Sequence, residues 1–154
     1  MNTKDEYINS ILKGLDIPND THIISYVQRM ERENKGQPVD MIKEIALNLK
    51  GNERYLAIFY TGLSFSPILA EMNDIETYDF MSYLEKALKL DEKRRFEISD
   101  YMIGTIRAQL RHHIADIDII TGIINSKFTD VEKDYLIFVF GMVLPDSKKI
   151  NERL

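Results

Sequence analysis

The sequence has no cysteine and no tryptophan, and only four prolines and seven glycines in 154 residues. Without cysteine there is no disulfide, no thiolate nucleophile and no Cys-ligated zinc or iron–sulfur site. A cysteine-free chain also fits a reducing compartment, so the cytoplasm is the expected location. The scarcity of proline and glycine excludes a collagen-like, linker-like or low-complexity chain. Long hydrophobic runs are missing too. The longest, Tyr135–Leu144, falls well short of the about 20 residues a membrane span requires. Met1–Tyr7 has no basic stretch followed by an apolar one, so neither a secretory leader nor membrane attachment is expected. Glycine-rich phosphate loops, His-Glu-x-x-His, Gly-x-Ser-x-Gly and calcium loops are all absent, and no cofactor or metal is expected.

What is present is material for a core. Hydrophobic residues make up 44% of the chain and charged residues 29%, with a net charge of −5. A domain of this size buries roughly 70% of the surface its unfolded chain exposes, so a single self-sufficient core is within reach. The acidic balance gives no bulk attraction to nucleic acid or anionic lipid. The abundance of Ile, Lys, Asn and Asp suggests a bacterial or phage source.

The punctuation is helical. Thr3–Glu6, Asn73–Glu76 and Thr129–Glu132 have the spacing of capping boxes, in which a side-chain oxygen and a carboxylate satisfy each other's orphan backbone donors. Pro38 suits the first turn of a helix. Apolar positions repeat at three and four in Ile23–Met30, Val39–Leu49, Tyr55–Leu63 and Phe80–Leu88. The expected fold is an all-α, single-domain bundle of about seven or eight helices over residues 1–145, with 146–154 as a charged tail. Pro67 is expected to break the helix over 53–65, and Pro145 to end a buried apolar helix near 130–144. A long helix is expected near 92–125. It carries a heptad-like seam through Phe96, Ile103, Ile106, Leu110, His113, Ile117 and Ile120, with Thr121-Gly122 as a possible early stop.

The 53–65, 103–124 and 130–144 segments all read as broadly apolar. A helix without a polar face must be covered on every side. Three in one small domain suggest that another chain covers part of them, and a symmetric homodimer is the commonest way to do so. The candidate interface residues are Ile106, Leu110, His113, Ile117, Phe138 and Phe140. The leading expectation is a non-catalytic regulator or inhibitor acting on a protein partner, with acidic surfaces at Asp74–Asp79 and Asp116/Asp118 suited to a basic one.

The one cluster with catalytic chemistry is Ile106-Arg107-Ala108-Gln109-Leu110-Arg111-His112-His113. An arginine grips phosphate bidentately, and a histidine exchanges protons near neutral pH. The spacing Arg107-x4-His112 resembles the Arg-x(4–6)-His motif of HEPN-domain ribonucleases, small helical domains with a site shared across a dimer. That resemblance implies an alternative, RNA cleavage by Arg107 and His112. On a regular helix the two lie about 140° apart, so a common site needs a helix start or bend between them. A third reading, a nucleic-acid-binding regulator, rests on Lys86, Lys89, Lys93, Arg94 and Arg95, which are interleaved with acids. Glu71, Asp74, Glu76 and Asp79 sit at a helix start, where acids complement the helix dipole.

Overall fold

The computed structural model describes residues 13–14, 21–34, 36–112 and 116–153, and no strand occurs among them. Seven α-helices follow in order: α1 Thr21–Glu33, α2 Pro38–Asn48, α3 Gly51–Ala70, α4 Asp74–Ala87, α5 Arg95–His112, α6 Asp116–Ile124 and α7 Asp130–Arg153. A 3-10 turn, Glu92–Arg94, leads into α5, and Asp91 caps it by accepting from the Lys93 N–H at 3.0 Å. The Thr3–Glu6 spacing lies outside the described residues. The all-α class stands.

Local chemistry sets the boundaries. Gly36 follows α1 with φ +69°, and its N–H donates to the Glu31 carbonyl at 3.0 Å. This left-handed closure is open to glycine without strain. A left-handed residue also ends α4, here a lysine: Lys89 has φ 59°, and the N–H of the next residue, Leu90, donates to the Glu85 carbonyl at 3.0 Å. For a residue with a Cβ that conformation costs about 1–2 kcal/mol. Both described capping boxes are made. Asn73 accepts from the Glu76 N–H at 2.8 Å, and Glu132 accepts from the Thr129 N–H at 2.9 Å.

The core is built on the α3–α7 pair, which packs more extensively than any other described pair. α1 and α2 lie against α3, while α5 and α6 lie against α7. Two glycines let the central helices touch backbone to backbone. A Cβ on Gly62 would collide with the Phe138 carbonyl oxygen, and one on Gly141 would stand 2.7 Å from the Phe59 carbonyl oxygen. Around this crossing Phe65 stacks on Phe138 at 5.7 Å and Phe59 on Phe140 at 6.4 Å between ring centres.

Three boundaries differ from expectation. α3 runs through Pro67 to Ala70. Pro67 is itself exposed, and continuing the helix buries Phe65 and Leu69. That burial offsets a proline penalty of about 3 kcal/mol. α7 likewise continues past Pro145 to Arg153, so the chain after 145 begins as helix and not as a frayed tail. The long helix expected over 92–125 is two, α5 and α6, and Thr121-Gly122 lies inside α6.

The subunit itself covers much of the apolar surface that another chain was expected to cover. Residues 134–142 of α7 and 56–63 of α3 are buried within the subunit. Phe138 and Phe140, expected at an interface, are 0% and 3% exposed and belong to the subunit's own core. The wide apolar faces of the two central helices are absorbed by each other and by the helices packed against them. Large exposed apolar side chains occur elsewhere.

Candidate protein-interaction surface

α4 gives the core little: Leu84 and Glu85 are its only fully buried residues, with Phe80, Met81 and Ala87 packed part-way in. At 100° per residue the opposite face carries Ile75, Asp79 and Tyr83, flanked by Glu76 and Tyr78. Ile75 is 73% exposed and Tyr78 67% exposed. Asp74, Glu76 and Asp79 are exposed beside them. No lysine or arginine occurs in the sequence between Arg54 and Lys86. The helix therefore shows solvent an apolar and aromatic strip bordered by acids that make no ion pair among the described residues, with exposed Lys86 at its C-terminal end.

α5 has a second such face. Ile98 and Gln109 are buried, and Tyr101, Met102 and Thr105 are half-buried between them. The outward line is Phe96, Asp100, Ile103, Arg107 and Arg111, all exposed, with Phe96 82% and Ile103 47% accessible. The seam expected from periodicity is real as a stripe, but its Phe96–Ile103 portion turns away from the core. Periodicity locates an apolar stripe without saying what covers it. Of the other expected interface residues, Ile106 is half-buried, and Ile117 is half-buried against the core. The Leu110 side chain and His113 lie outside the described residues.

Both outer helices are fixed from behind by ion pairs. Glu85 is buried, accepts the Tyr135 hydroxyl at 2.9 Å on one oxygen and has Arg95 Nε 2.6 Å from the other. That second approach is an ion pair without an aligned hydrogen bond. Burial, and then the Glu85 carboxylate, push the Tyr135 hydroxyl far above its ordinary range, so it is a donor at every working pH. Arg94 Nε donates to Glu132 at 2.7 Å and lies 5.7 Å over the Phe128 ring. Burial opposes the Glu132 charge, but Arg94 and Thr129 together hold the carboxyl below its usual value. Two residues further along α7, Arg54 grips both oxygens of buried Asp134, with Nε to Oδ1 at 3.1 Å. Burial pushes the Asp134 carboxyl up, with Arg54 pulling against it. The two-pronged geometry is that of an ionised carboxylate.

These contacts bear on several expectations. Of the basic cluster over 86–95, Arg94 and Arg95 are engaged by Glu132 and Glu85, while Lys86, Lys89 and Lys93 are exposed. α5 is one continuous helix from Arg95 to His112, which leaves exposed Arg107 and His112 about 140° apart. Within one subunit they are not brought to a common site. Glu76 of the acidic group serves its capping box. No set of three or more His, Asp or Glu side chains among the described residues is placed to hold a metal ion. No helix among them is long and apolar enough to cross a membrane.

Sequence reasoning missed the paired carboxylates of α7 and the Gly62–Gly141 crossing. The available signal was Asp134 and Glu132 beside an otherwise apolar run, since a charge entering a core needs a partner. No family model, no curated protein and no solved structure matches this chain.

Proposed function

We propose that this protein is a non-catalytic regulator or inhibitor that docks the outward face of α4 onto a basic surface of another protein. The observation that carries the reading is Ile75, Tyr78 and Tyr83 standing in water among Asp74, Glu76 and Asp79, on a helix already anchored through its other side. Tyrosines supply large contact areas at low conformational-entropy cost and are enriched among interface residues that dominate binding. Surrounding acids speed encounter with a basic partner and reject acidic ones. The same acids repel a phosphate backbone, which sets this reading above nucleic-acid binding. A cytoplasmic setting fits a chain without cysteine.

Comparative affinity capture from the native host tests this. The full chain is expected to retain a partner with a basic face, bound more weakly as salt rises. Tyr78→Ser/Asp79→Lys is expected to lose that partner while melting at the same temperature. Retention by the double variant, or no retained partner with either chain, overturns the reading.

A further inference from the structure

We propose that a second copy of this chain packs against the outward face of α5, antiparallel, about a two-fold axis beside Ile103 and Gly104. A two-fold interface brings the same patch together from both sides, so the patch must complement its own reversal. The outward line of α5 meets that condition. Reversing the helix about the midpoint between Ile103 and Gly104 exchanges Asp100 with Arg107 and Phe96 with Arg111. Each copy's Asp100 then faces the partner's Arg107, twice per dimer. Each copy's Phe96 lies under the partner's Arg111, the arrangement of a cation over a ring.

Shape agrees with charge. Alongside the line runs an open groove of about 410 Å³ between α5 and α6, walled by Asp100, Gly104, Ala108, Asp118, Ile119 and Gly122. Among the described residues a Cβ added at Gly104 would meet nothing within 4 Å, so none of them requires glycine there. In a helix interior glycine is unfavourable relative to alanine. Against a second copy it is useful, because the partner's Ile103 settles over Gly104 at the mouth of the groove and the helices approach closely. Acids at the start of α5 and bases at its end also suit the helix dipole. The dipole does not account for Phe96 at 82% exposure or for the glycine opposite Ile103.

This face is distinct from the α4 strip, and the inference does not rest on the α4 reading. Light scattering on the full chain is the test. The wild type is expected at twice 18.0 kDa in the micromolar range. Arg107→Asp, which sets two carboxylates against each other, is expected to raise the dimer dissociation constant by about tenfold or more. Asp100→Arg is expected to do the same, and the double variant Asp100→Arg/Arg107→Asp to restore association. Gly104→Trp is expected to keep the helicity and a cooperative melt and to give a monomer. A wild-type monomer up to about 100 µM overturns the proposal. So does a dimer indifferent to all three charge variants, or single-variant losses that the double variant fails to recover. Tyr78→Ser/Asp79→Lys leaves the mass unchanged, which separates this test from that of the α4 face.

Discussion

The α3–α7 pair and the α4–α5 pair use the same kinds of residue for opposite ends. Over 56–63 of α3 and 134–142 of α7 aromatic and branched side chains point in every direction and are enclosed by the subunit, down to the glycine contact at Gly62 and Gly141. In α4 and α5 only one face is spent on the core, and Ile75, Tyr78, Phe96 and Ile103 remain in water. A helix that is apolar all round solves its burial within the fold. A helix with a buried face and an exposed apolar face has a second surface to offer. The comparison moves the proposed interaction surface away from the greasiest segment of the sequence to two more polar helices.

The two regions should respond differently to substitution. The largest effect is expected at the anchors of the central pair. Asp134→Ala leaves Arg54 facing a vacancy beside the core and should destabilise by about 3–5 kcal/mol in urea unfolding. Gly141→Val drives a side chain into the Phe59 carbonyl, and because backbone cannot step aside the loss should be about 3 kcal/mol.

Acid should act on the α7 carboxylates with opposite signs. The Glu132 pKa is depressed, so its stabilisation is present above the ordinary carboxylate value near 4.5 and disappears as pH falls through the folded-state value. The Asp134 pKa is raised, so its penalty is present at neutral pH and is relieved as pH falls through its own folded-state value. Glu132→Gln, which keeps a capping side chain, should therefore flatten the loss of stability between pH about 5 and 3, and Asp134→Asn should steepen it. Equal slopes in both variants and the wild type would remove this assignment. A smaller effect lies at the end of α4, where Lys89→Gly relieves a left-handed residue and should stabilise by up to about 1 kcal/mol in thermal melts.

Much of this was legible from residue spacing. Helical periodicity and the Asn73–Glu76 and Thr129–Glu132 boxes are local signals, and they held because the bonds they imply are made within four residues. The departures all depend on distant groups. Pro67 reads as a stop until Phe65 and Leu69 are seen to gain burial by continuing the helix. The stripe through Phe96 and Ile103 reads as core until Ile98 and Gln109 are seen to occupy that side. The candidate surface was half visible. The acids over 74–79 were identified from sequence, whereas the exposure of Tyr78 and Ile75 depends on how α4 is rotated by Leu84 and by Glu85 on Tyr135.

The central claim is that the fold closes without the outward faces of α4 and α5. Its most direct test is the melting temperature, in dilute solution, of the chain carrying Ile75→Ser, Tyr78→Ser, Phe96→Ser and Ile103→Ser together. Surface substitutions each change stability by about 0.5 kcal/mol or less, so the four together cost about 2 kcal/mol at most and melting within about 8 °C of the wild type is predicted. A fall of about 15 °C or more would contradict the account, because those side chains would then belong to the core and not to a partner.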